Sequence, residues 1–416
     1  PIKSSAASDV YKRQVFTAAF ASLTKMNFNK LLSGNITKYQ KEGFIMISVG
    51  IDVSKGKSTV CIMKPCGEIL ESPFDIGHTA DELDSLISLI KSFDEETRVV
   101  MEDTGHYHLP VATYLSSHNI FVCCVNALRM KKFCSQSLRR AKTDKIDSIK
   151  IASFGITYWN ELVKAYPSNV IYDELKFLAR QYYQVTGMLV KSKVNFSNLL
   201  DQVMPKINDV LSNQGENHKL TEFVSRYIHF QNILDMGEMK FTSDYCKWAK
   251  KKGYRLNERK AAEILALAQN GIPTLPNSQS VKIAVSEAVK LIHSIEESRN
   301  TILAQMQDLC NTLPEYSVVK EMDCIGDTLA PRIIAEIGDV RRFKNKHSLI
   351  AYAGIDAPPY QSGAFHASER HISKRGNSYL RKTGYEIMQS LIKHKPADNA
   401  AVSYTHLRAH ETSAHL

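Results

Sequence analysis

The chain has 416 residues, of which 44% are hydrophobic and 23% charged, with only 13 prolines and 19 glycines. At roughly 150 residues per domain this describes a folded protein of two or three domains, which excludes a peptide, a small disulfide knot and wholesale disorder. The net charge of +10 suggests a polyanionic partner, although residues 1–45 supply seven basic side chains against Asp9 and Glu42, so half of the excess lies in that leader.

Both ends read as foreign. The chain opens at Pro1, and the segments SSAASDVYKRQ and AVSYTHLRAHET resemble translated read-through of sequencing adapters. We expect residues 1–45 to be a non-native leader or upstream frame, residues 397–416 to be an artefactual tail, and the biological start to be Met46. His406, His410 and His415 of the tail are therefore not taken as a metal site. A secretory reading of Lys12–Leu23 is set aside, and Val15–Leu23, broken by Thr17 and Ser22, is far short of the ~18 apolar residues of a membrane span. Eight cysteines without a Cys-x-x-Cys pair argue against zinc and disulfides and suit a reducing cytoplasm.

From Met46 the apolar runs Ile47–Val53, Thr59–Met63 and Glu68–Ser72 are separated by Lys55-Gly56-Lys57 and Pro65-Cys66-Gly67, which predicts a three-stranded meander. Thr79-x-x-Glu82 is a capping box for a helix carrying Leu83, Leu86, Ile87 and Ile90. A fourth strand over Arg98–Glu102, a helix over His108–Leu115 and a fifth strand over Asn119–Val125 follow, then a helix carrying Asp144 and Asp147. This β-β-β-α-β-α-β-α order is that of a ribonuclease H-like α/β fold and not of a Rossmann domain, which alternates strand and helix from the start. Next, Leu175, Leu178, Tyr182, Val185 and Leu189, and later Ile292, Ile295, Ile302, Met306 and Leu309, predict long helices of coiled-coil character. Between them, Asn213–Ser280 contains a basic stretch, Lys247–Arg255, with Trp248 and Tyr254. Finally, Cys324-Ile325-Gly326-Asp327 before Ala330–Ile337 has the pattern of a helix-hairpin-helix, followed by a compact basic block that includes Ser362. The expected organisation is thus 46–165 catalytic, 166–313 helical and 314–396 a small helical C-terminal domain.

GIDVSKGKS resembles a phosphate-binding P-loop, but five residues separate its glycines where four are needed, and a strand follows. No nucleotide cofactor is expected. The stronger signal is acidic. Asp52 interrupts an apolar strand, Glu102 closes the fourth, and Asp144 and Asp147 share one helix face. Each acid alone also suits a turn or a cap, but an acid inside an apolar strand costs several kcal/mol unless it is paired or metal-bound. In a ribonuclease H-like sheet the first and fourth strands are neighbours, so the four groups can converge on two magnesium ions for phosphodiester chemistry. Arg139, Arg140, Lys142 and Lys145 beside the last two acids, and Arg370, Lys374, Arg375 and Arg381 in the C-terminal block, suit a nucleic-acid backbone; a solvated, salt-bridged helix start is the alternative for the first group.

GIDVSK, EDTGHY and KTDKIDS resemble the Asp-Glu-Asp-Asp motifs of the insertion sequence 110 transposases, and AEIGD, RF, AYAG, QSG and ISKRGNSYLR resemble that family's second domain. The resemblance implies a RuvC-like magnesium site on Asp52, Glu102, Asp144 and Asp147, with Ser362 as a nucleophile that forms a covalent phosphoserine with DNA. It also implies guidance by an element-encoded bridge RNA pairing with donor and target DNA, a dimer to tetramer with composite sites, and action in the prokaryotic cytoplasm at the nucleoid, without a membrane. Ser148 departs from the alanine common at that position. Two other readings stand beside this one: a RuvC-like nuclease or junction resolvase that uses water, and an inactive nucleic-acid-binding remnant.

Overall fold

The computed structural model describes residues 46–103, 105–135, 143–165, 170–212, 218–255, 258–357, 361–362, 365–366 and 371–394, with the backbone alone at 361–362 and 365–366. Two compact units divide between Asn169 and Val170.

In the first unit, β1 (Met46–Val53), β2 (Lys57–Met63) and β3 (Ile69–Gly77) form the antiparallel meander. Helix α1 (Ala80–Lys91), β4 (Glu96–Glu102), α2 (His108–Ser117), β5 (Phe121–Val125), α3 (Ala127–Cys134) and α4 (Asp144–Thr157) follow. The sheet order is β3-β2-β1-β4-β5, with β4 parallel to β1 and β5 parallel to β4. This mixed sheet has the ribonuclease H-like topology that the element order led us to expect. Strand β3 runs five residues beyond the expected end at Ser72, straight through Pro73. It is an edge strand, where the missing N–H of a proline leaves no ladder partner unsatisfied.

Side chains alternate between the two faces of the sheet. Ile47, Val49, Ile51, Val60 and Ile62 are buried with Leu83, Leu86, Ile87 and Ile90 of α1 and Val111 and Leu115 of α2. Thr79 caps α1 as its motif demands, and the Glu82 carboxylate reaches back to accept from the Gly77 N–H.

On the opposite face lies α4, and its approach is unusually close. A Cβ at Gly50 would sit 2.2 Å from the Ala152 backbone nitrogen and 2.4 Å from the Ser148 carbonyl oxygen, while one at Gly155 would meet the Ser48 hydroxyl at 2.1 Å. Gly50 lets the strand backbone touch the helix backbone, and Gly155 makes room for the Ser48 and Val100 side chains. Because Ser48 lies against Gly155 and Gly50 against Ser148 and Ala152, α4 runs antiparallel to β1, with its first turn at the strand's C-terminal end.

The second unit is built on two long helices, α5 (Val170–Val203) and α11 (Gln279–Cys310). Leu175, Ala179 and Tyr182 of α5 share a core with Met306 and Cys310, whereas Leu189, Phe196 and Leu200 share another with Val281, Val285 and Ile292, so the pair is antiparallel. Between them in sequence are α6 (Ile207–Val210), α7 (Lys219–Tyr227), α8 (Phe230–Met236), α9 (Glu238–Lys251) and α10 (Glu258–Asn270), packed around Phe223, Phe241, Tyr245 and Trp248. After α11 come α12 (Glu315–Lys320), α13 (Leu329–Ile337), α14 (Lys346–Ala353), the ribbon β6 (Gln361–Ser362) and β7 (Phe365–His366), and α15 (Ser378–His394). Helices α12 and α13 flank the Cys324-Ile325-Gly326-Asp327 turn. Among the described residues no helix is long and apolar enough to cross a membrane.

Gly50→Ala is expected to lower the stability of the first unit by about 2–3 kcal/mol, since the methyl group meets backbone and not a movable side chain. A urea titration of the full chain checks this: the transition assigned to the sheet unit moves to lower urea while the helical unit is unaffected.

Candidate active site

The register of the sheet places the acids. Asp52 lies opposite Thr59 on β2, and Thr59 opposite Asp75 on β3. On the other side Ile51 pairs with Met101, which sets Glu102 beside Asp52, and Glu102 pairs with Val125. Asp75, Thr59, Asp52 and Glu102 therefore form one row across four strands. All of them point to the α4 face, because Asp52 shares its face with Gly50 and Glu102 shares its face with Val100, which packs against Ile151 and Phe154 of α4.

The first turn of α4 closes the row from above. Thr143 caps the helix, its hydroxyl accepting from the Ile146 N–H at 3.3 Å, and the exposed Asp144 and half-buried Asp147 follow in that turn, where the positive end of the helix dipole favours carboxylates. Lys150 donates to Asp147 at 3.5 Å. Cys134, at the end of α3, lies within electrostatic reach of most of the group: burial pushes its thiol up, Lys150 opposes, and Asp147, Glu102 and Asp52 each add to the rise. Three of the four expected acids thus share one neighbour. At the edge of the row the Thr59 hydroxyl donates to Asp75 at 2.7 Å and holds that carboxyl below the usual carboxylate range, helped by Lys57 and Lys145.

The donor set is made of hard oxygens, which is the chemistry of a magnesium site and not of a zinc site. As placed, no group of three or more His, Cys, Asp or Glu side chains among the described residues closes into a ligand cluster. Asp52, Glu102 and Asp147 share a face and an end of the sheet. Asp144 stands at the outer edge of the same helix turn.

The other expected residues divide. Lys145 is exposed on the first turn of α4. Arg139, Arg140, Lys142 and Arg370 lie outside the described residues. Ser362 belongs to the second unit, on β6, paired with Phe365. Lys374 and Arg375 are exposed on the loop before α15, and Arg381 donates to the Ala353 carbonyl at 2.9 Å. That loop is held from beneath. Fully buried Glu336 accepts from Arg180 at 2.6 and 3.0 Å and from Asn377 at 2.7 Å, and Asn377 in turn caps α15. Gly376 is pressed against Gly354, where a Cβ would meet the Gly354 N at 2.4 Å.

Asp75, Thr59, Lys150 and Cys134 were not singled out from the sequence. A signal for Asp75 existed, because Phe74 and Ile76 alternate with it as an inward-facing pair would. Lys150 follows Asp147 by three, a spacing that predicts the contact once the helix is known.

A model of the insertion sequence 110 Asp-Glu-Asp-Asp proteins, described as Transposase, matches residues 49–205, and a second, Transposase IS116/IS110/IS902 family, matches residues 316–403. The chain belongs to the insertion sequence 110 family of transposases. It is 22% identical over 261 residues to the Insertion element IS110 uncharacterized 43.6 kDa protein of Streptomyces coelicolor, an alignment that spans 63% of each chain. It is 21% identical over 347 residues to the Insertion element IS116 uncharacterized 44.8 kDa protein of Streptomyces clavuligerus, covering 83% of this chain and 84% of the relative. Among solved structures, T. thermophilus RuvC in complex with Holliday junction substrate aligns with 28% of this chain and 96% of its own, at 10% identity and a TM-score of 0.21. The two family matches carry the motifs quoted above; the first runs from the sheet unit on through α5, and the second lies within the second unit.

If the acids share Cys134 as a neighbour, removing their charge lets its thiol ionise more easily. Asp147→Asn combined with Glu102→Gln is expected to speed alkylation of Cys134 several-fold at pH 8, followed by peptide mass spectrometry, because the thiolate fraction sets the rate. Asp84→Asn, on α1 across the sheet, leaves the rate unchanged.

Proposed function

We propose that this chain is a DNA transposase that cuts and rejoins donor and target DNA through Ser362, with Asp52, Glu102, Asp144 and Asp147 as its RuvC-like acidic site. The observation that carries the reading is the row of carboxylates on one sheet face under the first turn of α4. In a family of transposases such a row has an evident use. Asp52, Glu102, Asp147 and Asp144 would hold two magnesium ions, which when bound polarise a phosphodiester and ease ionisation of an attacking hydroxyl. Lys150, now beside Asp147, balances that carboxylate's charge and would release it on cation binding.

Ser362 supplies the attacking oxygen. Its Oγ–phosphorus bond forms as one phosphorus–oxygen bond of the DNA strand breaks; the serine proton is lost and the departing deoxyribose oxygen takes one up. A phosphoserine conserves the energy of the phosphodiester, so the reverse attack by a different strand end rejoins DNA without a nucleotide cofactor. Exposed Lys374 and Arg375, on a loop fixed through Glu336 and Asn377, would meet the backbone near that serine, as Lys145 would near the acids. A structured bridge RNA encoded by the element would choose the sequences. Assembly as a dimer or tetramer, in the prokaryotic cytoplasm at the nucleoid, completes the reading.

The test is to incubate the full chain with magnesium, donor DNA and RNA transcribed from the flanks of its reading frame, and to resolve products on a denaturing gel. A protein–DNA adduct is expected, lost in Ser362→Ala and without RNA, and reduced at least 100-fold in Asp52→Asn or Glu102→Gln. Cleavage that survives Ser362→Ala without any adduct would describe a hydrolytic nuclease or resolvase. Absence of cleavage with retained, salt-sensitive DNA binding would describe an inactive remnant.

A further inference from the structure

The most basic stretch of the second unit lies outside every motif assigned above. Between Lys240 and Lys260 there are eight basic side chains against Asp244 and Glu258. On α9 the lysines are not scattered: Lys240, Lys247 and Lys251 stand at i, i+7 and i+11, along one exposed side of the helix, about a third of a turn round from the buried Phe241, Tyr245, Trp248 and Ala249. Lys250 and Arg255 are exposed beside them. At 1.5 Å per residue the stripe is about 16 Å long.

Acids next to the stripe are already occupied. Asp244, the one carboxylate along that side of α9, accepts from Arg226 at 2.6 and 2.9 Å and from the Tyr227 hydroxyl at 2.8 Å. The Arg226 hydrogen bonds hold the Asp244 carboxyl below the usual range. Glu222 is taken by Lys252 at 2.9 Å and by the Tyr254 hydroxyl at 3.0 Å. Helix-dipole compensation accounts for Lys250 and Lys251 in the last turn but not for Lys240 in the first, where a positive charge is unfavourable.

We propose that the Lys240–Lys247–Lys251 face of α9 is a docking surface for the phosphate backbone of double-stranded DNA, outside the segments being cut. The inference rests on the reading of the chain as a DNA transposase and adds a surface to it. Duplex is favoured over single strand because no stacking platform is on offer: Trp248 is buried, and Tyr254 lies against Trp248 with its hydroxyl held by Glu222. Lysine point charges on a straight, rigid helix match a regular line of phosphates and read no base edges, so binding here is independent of sequence.

The test is fluorescence anisotropy of the full chain with a random-sequence DNA duplex of about 30 base pairs from 50 to 200 mM salt. With Lys240, Lys247 and Lys251 all changed to Gln, the slope of log K against log salt is expected to become shallower by roughly 2–3, about 0.9 for each phosphate that is no longer neutralised, and by the same amount on different sequences. The triple Arg variant keeps the wild-type slope, which separates charge from any effect on folding. Changing Lys282, Lys290 and Lys320 to Gln is expected to leave it unaltered. An unchanged slope in the Lys240/Lys247/Lys251 Gln variant overturns the proposal while leaving the transposase reading intact. A weakening confined to an RNA duplex of equal length overturns it in favour of an RNA surface. Failure of the wild-type chain to bind DNA duplex overturns both.

Discussion

Helix α4 rests on β1 with backbone against backbone at Gly50 and with the Ser48 and Val100 side chains seated at Gly155, and these two glycines set the geometry of everything proposed for the first unit. A side chain at either position would lift the helix by a methyl group's width and slide its first turn off the end of the strand. With the contact in place, helix and strand are locked in an antiparallel register. The first turn then arrives over Asp52 and Glu102, and the acids on strand and helix need no loop to hold them. Packing, not electrostatics, does the positioning. The electrostatic cost of gathering carboxylates is offset locally by the α4 dipole, by Lys150 at Asp147 and by the Thr59 hydroxyl at Asp75.

The second unit uses the opposite device. Its C-terminal part is tied to α5 by ion pairs with one buried member each: Glu336 takes Arg180 of α5, and Arg332 takes Glu386 of α15 at 2.6 Å while donating from its second nitrogen to the Tyr183 hydroxyl of α5. Removing one partner of such a pair leaves a buried charge uncompensated, so these contacts resist drift more than they add stability. What they hold in place is the loop bearing Lys374 and Arg375 and the helix that Asn377 caps. A rigid base beneath a basic loop suits repeated engagement of a charged polymer.

Much of this was legible in the residues. The order of elements along the chain followed from the short β-branched runs and the capped helix, and Asp52 stood out because it interrupts the apolar run Ile47–Val53. Asp75 did not stand out, since it lies beyond the expected end of the third strand at Ser72; the edge position of β3 is what lets the strand continue through Pro73. The contribution of Gly50 was hidden as well, because a glycine in a strand signals a close approach without naming what approaches. Cys134 and Lys150 reach the acids through the placement of α3 and α4 on the sheet, which sequence spacing does not encode. The motifs around Ser362 were legible through resemblance alone, a serine before a glycine being an ordinary turn pair by itself.

The central claim is that Asp52, Glu102 and Asp147 form one cation site under the first turn of α4. Anomalous scattering from crystals of the full chain grown with manganese in place of magnesium addresses it most directly. The account predicts density for one or two ions bounded by those three carboxylates, with Asp144 at the rim, and its loss in Asp52→Asn. Manganese bound elsewhere, or an acid row that stays open around ordered water at saturating manganese, would contradict it.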